Sequence, residues 1–159
     1  MILKLGLGLS LLFAPVVVLL GGNARPHQGD QFSTRTTAGR YLVVCNGYLS
    51  PAPNAPLVPA KLLGTANADE EGNFTGSGTV MIGGGPSHQQ TVTGTEHLNP
   101  DGTGTISYNQ RIDNQPSPPL DITFVVTNDG DRIDGLATDP GTVFSCVLRR
   151  ISKADRDRD

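Results

Sequence analysis

The last strand-like stretch of the chain, Thr142-Val143-Phe144-Ser145-Cys146-Val147-Leu148-Arg149-Arg150, contains one of its two cysteines. The other, Cys45, ends the first such stretch, Arg40-Tyr41-Leu42-Val43-Val44-Cys45. A disulfide between Cys45 and Cys146 would tie the first strand to the last, as in a sheet that closes on itself. We therefore predict this disulfide, with the two strands antiparallel and directly paired.

Between these stretches, apolar and polar residues alternate with a period of two, and no convincing helical period is present. The pattern predicts an all-β fold: a single antiparallel eight-stranded up-and-down barrel, with a β-sandwich as the alternative. In the barrel the first and last strands pair, whereas in the sandwich they would lie in different sheets. The predicted strands cover residues 40–49, 61–68, 73–82, 91–98, 103–112, 120–128, 131–138 and 142–151.

Tight turns between the strands predict which residues pair. Residues 69–73 and 99–103 are typical of three-residue hairpin loops with a left-handed glycine, and Asp129-Gly130 is typical of a two-residue hairpin. Each turn pairs residues that the alternation independently assigns to the inward face, so both signals predict one register. The predicted pairs include Ala68–Phe74, Glu96–Ile106, Gly94–Tyr108, Val126–Ile133, Gly135–Cys146, Val43–Leu148, Tyr41–Arg150 and Gly47–Phe144.

Three connections are predicted to be longer: a proline-rich stretch at 50–59, a glycine-rich one at 83–88, and a third at 113–119. Such loops could shape the entrance of a ligand site or simply cover the end of the barrel.

The chain ends carry separate signals. One lysine followed by apolar residues to Leu20 predicts a signal peptide over 1–24, with a membrane anchor as the alternative. Cleavage would leave no stable membrane span and a secreted or periplasmic protein, where a disulfide persists. We predict that residues 25–38 are disordered, that 39–151 form the barrel domain, and that 152–159 are a charged tail.

Composition argues against several functions. The formal net charge is −3 and no basic stripe is present, which argues against a nucleic-acid partner. His27, His88 and His97 are predicted in a tail, a loop and an outward strand position, so neither a metal site nor a cofactor is predicted. The neighbours Ser87 and His88, on a predicted flexible loop, do not make an oriented catalytic triad.

One acidic residue falls on the apolar face. Glu96 has inward parity, and a buried carboxylate is costly unless it is paired, so it is a functional candidate. The alternatives are that Glu96 reaches water at the barrel mouth, or pairs with Arg150 for structural reasons. With inward aromatic residues, it gives the predicted ligand-binding set: Glu96, Tyr108, Phe74, Phe124 and Phe144.

The predicted meander of eight antiparallel strands over 39–151 resembles the calycins, such as the lipocalins, and the barrel of allene oxide cyclases. The resemblance is one of architecture, because the chain has no tryptophan and so lacks the lipocalin Gly-x-Trp signature. It implies a barrel with a small apolar ligand in the lumen. No motif carries cyclase residues onto this chain.

Two main function classes follow from these observations. The first is a non-enzymatic barrel that binds a small apolar molecule in its lumen; the second is a structural or surface-interaction domain with a filled core. A cyclase-type enzyme is a third reading. A lumen of about 300 Å³ or more would support the first class, and a packed lumen the second.

Overall fold

The protein folds as a closed antiparallel barrel of eight strands in simple chain order. The structure, a computed structural model, describes residues 32–51 and 54–153. The predicted signal peptide and most of the predicted tail therefore lie outside the described residues. The elements are α1 (Thr34–Thr37), β1 (Gly39–Leu49), β2 (Val58–Ala68), β3 (Asn73–Ile82), β4 (Ser87–Leu98), β5 (Thr103–Ile112), β6 (Gln115–Thr127), a 3₁₀ turn (Asn128–Gly130), β7 (Arg132–Ala137) and β8 (Thr142–Lys153).

The seam of the barrel is the ladder between β1 and β8. Cys45 lies directly opposite Cys146, and a disulfide joins them across a Cα–Cα distance of 4.1 Å. The predicted seam register is confirmed, since Val43 pairs with Leu148, Tyr41 with Arg150 and Gly47 with Phe144. The barrel prediction is thus confirmed, and the two-sheet sandwich is excluded.

The short turns adopt the predicted conformations. Gly72 and Gly102 have φ values of +84° and +85°, the left-handed region that glycine enters without a Cβ clash. Asp129 and Gly130 both have positive φ, and the Asp131 N–H donates to the Asn128 carbonyl at 3.0 Å. The predicted pairs named above for these turns are confirmed, including Glu96–Ile106, Val126–Ile133 and Gly135–Cys146.

The three longer connections are shorter than predicted. β2 begins at Val58, β4 at Ser87 and β6 at Gln115, so polar and proline residues expected in loops extend the strands. At the β5–β6 turn only Asp113 and Asn114 remain, both with positive φ, and an irregularity between Tyr108 and Gln110 adjusts the register. Prolines are tolerated in β6 where the ladder does not need their N–H.

The prediction of disorder over 25–38 is wrong for the residues that the structure describes. Thr37 and Ala38 are buried beneath one end of the barrel, which explains why the short helix α1 is ordered. The Phe32 N–H donates to the Pro100 carbonyl at 3.2 Å, which holds the start of this segment against a turn. Residues 25–31 lie outside the described part, and the domain boundaries stay predictions.

The two ends of the barrel differ in how they are covered. We call the end that bears α1 the capped end; it contains the turns at 69–72, 99–102 and 128–131, the start of β1 and the end of β8. We call the opposite end the far end; it contains the connections at 50–57, 83–86, 113–114 and 138–141. The described helical segments all lie at the capped end, and no described helix is long and apolar enough to cross a membrane.

Candidate functional site: the barrel lumen

An apolar cavity of about 50 Å³ lies inside the barrel, measured as the space that the centre of a water molecule can reach. Of the predicted ligand-binding residues, Phe74, Tyr108 and Phe124 line it. Glu96 and Phe144 are buried but are not among the lining residues. The disulfide of Cys45 and Cys146 forms part of the wall.

This cavity is smaller than the lumen of about 300 Å³ that the binding prediction asked for. It has room for a few water molecules, or for a slender apolar group. The volume is limited because large side chains project inward opposite the glycines. At Gly76 an added Cβ would lie 2.9 Å from the Val92 side chain, and at Gly104 it would lie 2.4 Å from the Phe124 ring. The glycines therefore accommodate neighbouring side chains and close backbones rather than open space.

Tyr108 supplies a polar group to this apolar cavity. Among the described residues its hydroxyl has no hydrogen-bond partner, yet it is not sealed from a water-sized molecule. Burial raises the pKa of the Tyr108 phenol to about 12, and the negative charge of Asp139 adds to the rise. Tyr108 is therefore a neutral hydroxyl over the physiological range, able to donate one hydrogen bond and to accept others.

Two buried glutamines form a relay above the cavity, towards the far end. The Gln110 amide nitrogen donates to the Pro118 carbonyl at 2.7 Å, and the Gln90 amide nitrogen donates to the Gln110 side-chain oxygen at 2.5 Å. Gln90 also lines the cavity. The Pro118 carbonyl fixes the orientation of the Gln110 amide, and Gln110 in turn fixes that of Gln90. The Gln90 side-chain oxygen then has no hydrogen-bond partner among the described residues.

His88 lies at the far end and not in a flexible loop, so its predicted placement is wrong. It belongs to β4 and pairs with the buried Val80, which places it on the inward face, two residues from Gln90. Its Nδ1 lies 2.6 Å from the Asp113 carboxylate, which also accepts the Gln89 N–H at 2.9 Å. The hydrogen bond from His88 holds the pKa of the Asp113 carboxyl below its usual value.

Glu96 faces the capped end, where its partner is α1 rather than Arg150. Its carboxyl hydrogen-bonds with the Thr37 hydroxyl, which also lies 3.1 Å from the Thr34 carbonyl. A hydroxyl has one hydrogen, so when Thr37 donates to Thr34 a protonated Glu96 can donate to Thr37. Burial raises the pKa of Glu96, against the opposing effect of the Thr37 hydrogen bond.

Arg150 and Tyr41 complete the polar layer of the capped end. The Arg150 side chain, 7% exposed, donates to the Tyr41 hydroxyl at 2.9 Å and to the Thr36 carbonyl, and forms an ion pair with Asp131 at 3.5 Å. The Tyr41 hydroxyl in turn lies 2.8 Å from the Thr37 carbonyl and 2.9 Å from the Gly130 carbonyl, and it can donate its one hydrogen to either. These contacts bind α1 to the barrel.

Sequence reasoning missed most of these polar residues, although some signals were present. The even-numbered inward parity of β4, continued backwards, would have placed Gln90 and His88 on the inward face. No local sequence pattern predicts the contact between Asp113 and His88, because these residues lie at the end of β5 and the start of β4 and meet only when the two strands pair. The described residues hold no cluster of three or more His, Cys, Asp or Glu suited to a metal ion.

No protein-family model matches the chain, and no curated protein matches it. Among solved structures, it is similar to a redesigned beta barrel, mFAP1, bound to DFHBI. The two chains are 11% identical, with a TM-score of 0.46, and the match covers 74% of this chain and 98% of the other. A similarity at this level carries no argument about what the lumen of this protein holds.

Proposed function

We propose that this protein is a non-enzymatic, secreted or periplasmic barrel that binds a small, slender and mostly apolar molecule in its lumen. The observation that carries the proposal is Tyr108, which lines an apolar cavity and whose hydroxyl has no hydrogen-bond partner among the described residues. A hydroxyl without a protein partner in an apolar site can be completed by a ligand or by water. A few polar groups within apolar walls are typical of small-molecule sites.

In the proposed complex, the rings of Phe74 and Phe124 contact the apolar body of the ligand, and Tyr108 anchors its polar group. Glu96 and Phe144, expected in the site from the sequence, would act only indirectly, through the packing of the barrel. Export is supported by the disulfide, which persists in oxidising compartments.

The experiment is native mass spectrometry of protein purified from its source. We expect a bound mass that disappears when the protein is unfolded. A Val92→Phe variant should lose the bound mass, because Val92 lines the cavity and a larger side chain fills it. Val125→Phe is the matched control, since Val125 is exposed on the outer face and should retain the ligand. If the unaltered protein from its source shows only its own mass, with no bound ligand, the proposal is contradicted.

The second candidate is a structural or surface-interaction domain with a filled core, and the small volume of the cavity favours it. A row of apolar residues on the outer face of the seam, Leu63, Val44 and Val147, fits the same reading. For this candidate, a substitution within the row, such as Leu63→Gln, would disturb the interaction, because Leu63 is exposed on the outer face. Val92→Phe, inside the barrel, would leave the interaction unchanged.

A further inference from the structure

Among the described residues around the cavity and its far end, the Gln90 side-chain oxygen and His88 Nε2 are acceptors without a hydrogen-bond partner, and the Tyr108 hydroxyl can donate or accept. Two relays of fixed hydrogen bonds determine this, one through the glutamines and one through His88. We propose that the ligand is a neutral apolar molecule that carries a hydroxyl donor, and that carboxylates are rejected. This inference rests on the proposed lumen-binding function and names its ligand class.

The glutamine relay starts from a group that cannot donate. The Pro118 backbone carbonyl only accepts, so the side chain of Gln110 must turn its amide nitrogen towards it, at 2.7 Å. The Gln110 oxygen then accepts from the Gln90 amide nitrogen. This order assigns the orientation of both amides, and it leaves the Gln90 oxygen, an acceptor, available on a residue that lines the cavity.

The histidine relay starts from a group that cannot accept. The Gln89 backbone N–H donates to one Asp113 oxygen at 2.9 Å, and the other oxygen faces His88 Nδ1 at 2.6 Å. The pKa of Asp113 is lowered, so its carboxylate is charged and Nδ1 carries the hydrogen. In the neutral imidazole, Nε2 is then an acceptor.

His88 is placed to use this acceptor on a ligand. It shares the inward face with Val80 and Gln90, and its side chain is 35% exposed at the far end. Among the described residues Nε2 has no hydrogen-bond partner. His88 does not line the cavity itself, so a hydroxyl that enters from the far end would pass His88 before it reaches Gln90 and Tyr108, which do line it.

Charge at the far end points the same way. Asp113 lies beside His88, and Asp139 is close enough to Tyr108 for its charge to raise the Tyr108 pKa. A ligand carboxylate would meet these negative charges and two acceptors, and would lose its hydration in an apolar cavity. A neutral hydroxyl avoids both costs.

The experiment compares three probes by calorimetric titration of the full chain at neutral to mildly alkaline pH. The probes are 1-octanol, its isomeric size match 1-methoxyheptane, which lacks the donor, and octanoate. We expect 1-octanol to bind about tenfold more tightly than the ether, the effect of roughly one hydrogen bond, and octanoate to bind most weakly.

The decisive variant is Asp113→Asn. The Gln89 N–H should continue to donate to the side-chain oxygen at position 113, so the NH₂ group of the new amide would face His88 Nδ1. Because that NH₂ group donates, Nδ1 must accept, and the imidazole hydrogen moves to Nε2. Asparagine also tolerates the positive φ of 49° at this position. The preference for 1-octanol over the ether should fall severalfold, and octanoate should bind more tightly than before. Asp121→Asn, a charge-matched control on an exposed position, should change neither ratio.

The outcomes separate the two proposals. If 1-octanol and the ether bind with equal affinity, or if octanoate binds best, the ligand class proposed here is overturned while lumen binding stands. If none of the probes binds and native mass spectrometry finds no bound ligand on the protein from its source, lumen binding itself is overturned. An unchanged probe ratio in Asp113→Asn would contradict the role of the His88 relay.

Discussion

The capped end and the far end of the barrel both contain buried polar side chains, but they use them differently. At the capped end, Arg150, Tyr41 and Thr37 donate to one another or to backbone carbonyls, and their hydrogen bonds join α1 to the barrel. At the far end, Gln90 and His88 are oriented by fixed neighbours, but each keeps one acceptor atom without a partner in the part of the chain that the structure describes. The comparison indicates that polar side chains whose hydrogen bonds are all made within the protein form a structural layer. Polar side chains that are held in place but keep an atom without a hydrogen bond form a candidate site.

The largest expected effect concerns the seam, which both ends share. Replacing Cys45 and Cys146 together by alanine should lower the free energy of unfolding by about 2–5 kcal/mol, because the bond closes a long loop in the unfolded chain. The two cysteines are 101 residues apart in sequence. Chemical denaturation would measure the loss.

Hydrogen exchange sharpens this test. The Glu96 N–H donates to Gly72 at the capped end, and the Asp113 N–H donates to Gln89 at the far end. If the disulfide stabilises the barrel through the unfolded state, protection of both amides should fall together where they exchange by global unfolding. A loss confined to one end would indicate that the bond acts locally instead.

A matched pair of substitutions should break the symmetry between the ends. Arg150→Met should cost about 2–3 kcal/mol of stability, since it removes charge-assisted hydrogen bonds and leaves the Thr36 carbonyl unpaired. Gln110→Met should cost about 1–2 kcal/mol, because the bonds it removes are neutral. Thermal and urea unfolding would measure both. Equal losses would remove the distinction drawn between the two ends.

Glu96 makes the capped end sensitive to pH. Burial raises the pKa of Glu96, so the native state holds its proton more tightly than the unfolded chain. The stability that this proton contributes is complete below the unfolded pKa and is lost as pH rises through the raised native pKa. Glu96→Gln should therefore be more stable than the unaltered protein at neutral pH, by less than the loss in Arg150→Met.

The measurement for Glu96 is the melting temperature as a function of pH from the acidic to the neutral range. The unaltered protein should lose stability across this range relative to Glu96→Gln, while both retain ligand alike. A variant that melts earlier than the unaltered protein at neutral pH would mean that the charged carboxylate stabilises the fold.

The smallest expected effect on stability is at Tyr108. Because its hydroxyl has no partner among the described residues, Tyr108→Phe should change the free energy of unfolding by less than about 0.5 kcal/mol. The variant should nevertheless lose retained ligand in native mass spectrometry. Alkaline spectrophotometric titration adds a direct test: an ionisation at about pH 12 should be absent from the variant. In the unaltered protein, stability contributed by the neutral phenol should fall as pH rises from 10 to about 12.

The fold could be predicted from the sequence because its signals are local and agree with one another. The left-handed glycines Gly72 and Gly102 determine loop lengths, loop lengths determine register, and register brings Cys45 opposite Cys146. A shift of one residue in the register of a strand would have placed its apolar side chains on the outer face of the barrel. The same parity rule identified Glu96 as an inward carboxylate.

The rest depended on contacts between segments distant in sequence. Nothing in the polar stretch before Gly39 predicts that Thr37 is buried against Glu96, because burial there is a property of the closed barrel end. His88 looked like part of a glycine-rich loop until pairing with β3 extended β4. The size of the cavity depends on how Val92 and Phe124 fill the space beside glycines, which no alternation pattern contains.

The seam also determines where the chain enters and leaves the barrel. Gly39, at the start of β1, pairs with Lys153, at the end of β8, so both ends of the domain lie side by side at the capped end. A short linker could join them, and the strand order would tolerate new termini in a far-end connection such as the one containing Gly84, where an added Cβ would meet nothing within 4 Å. A circular permutant of this kind would keep every ladder of the barrel. Conversely, a fusion partner attached directly after Lys153 would sit at the capped end, away from His88 at the far end.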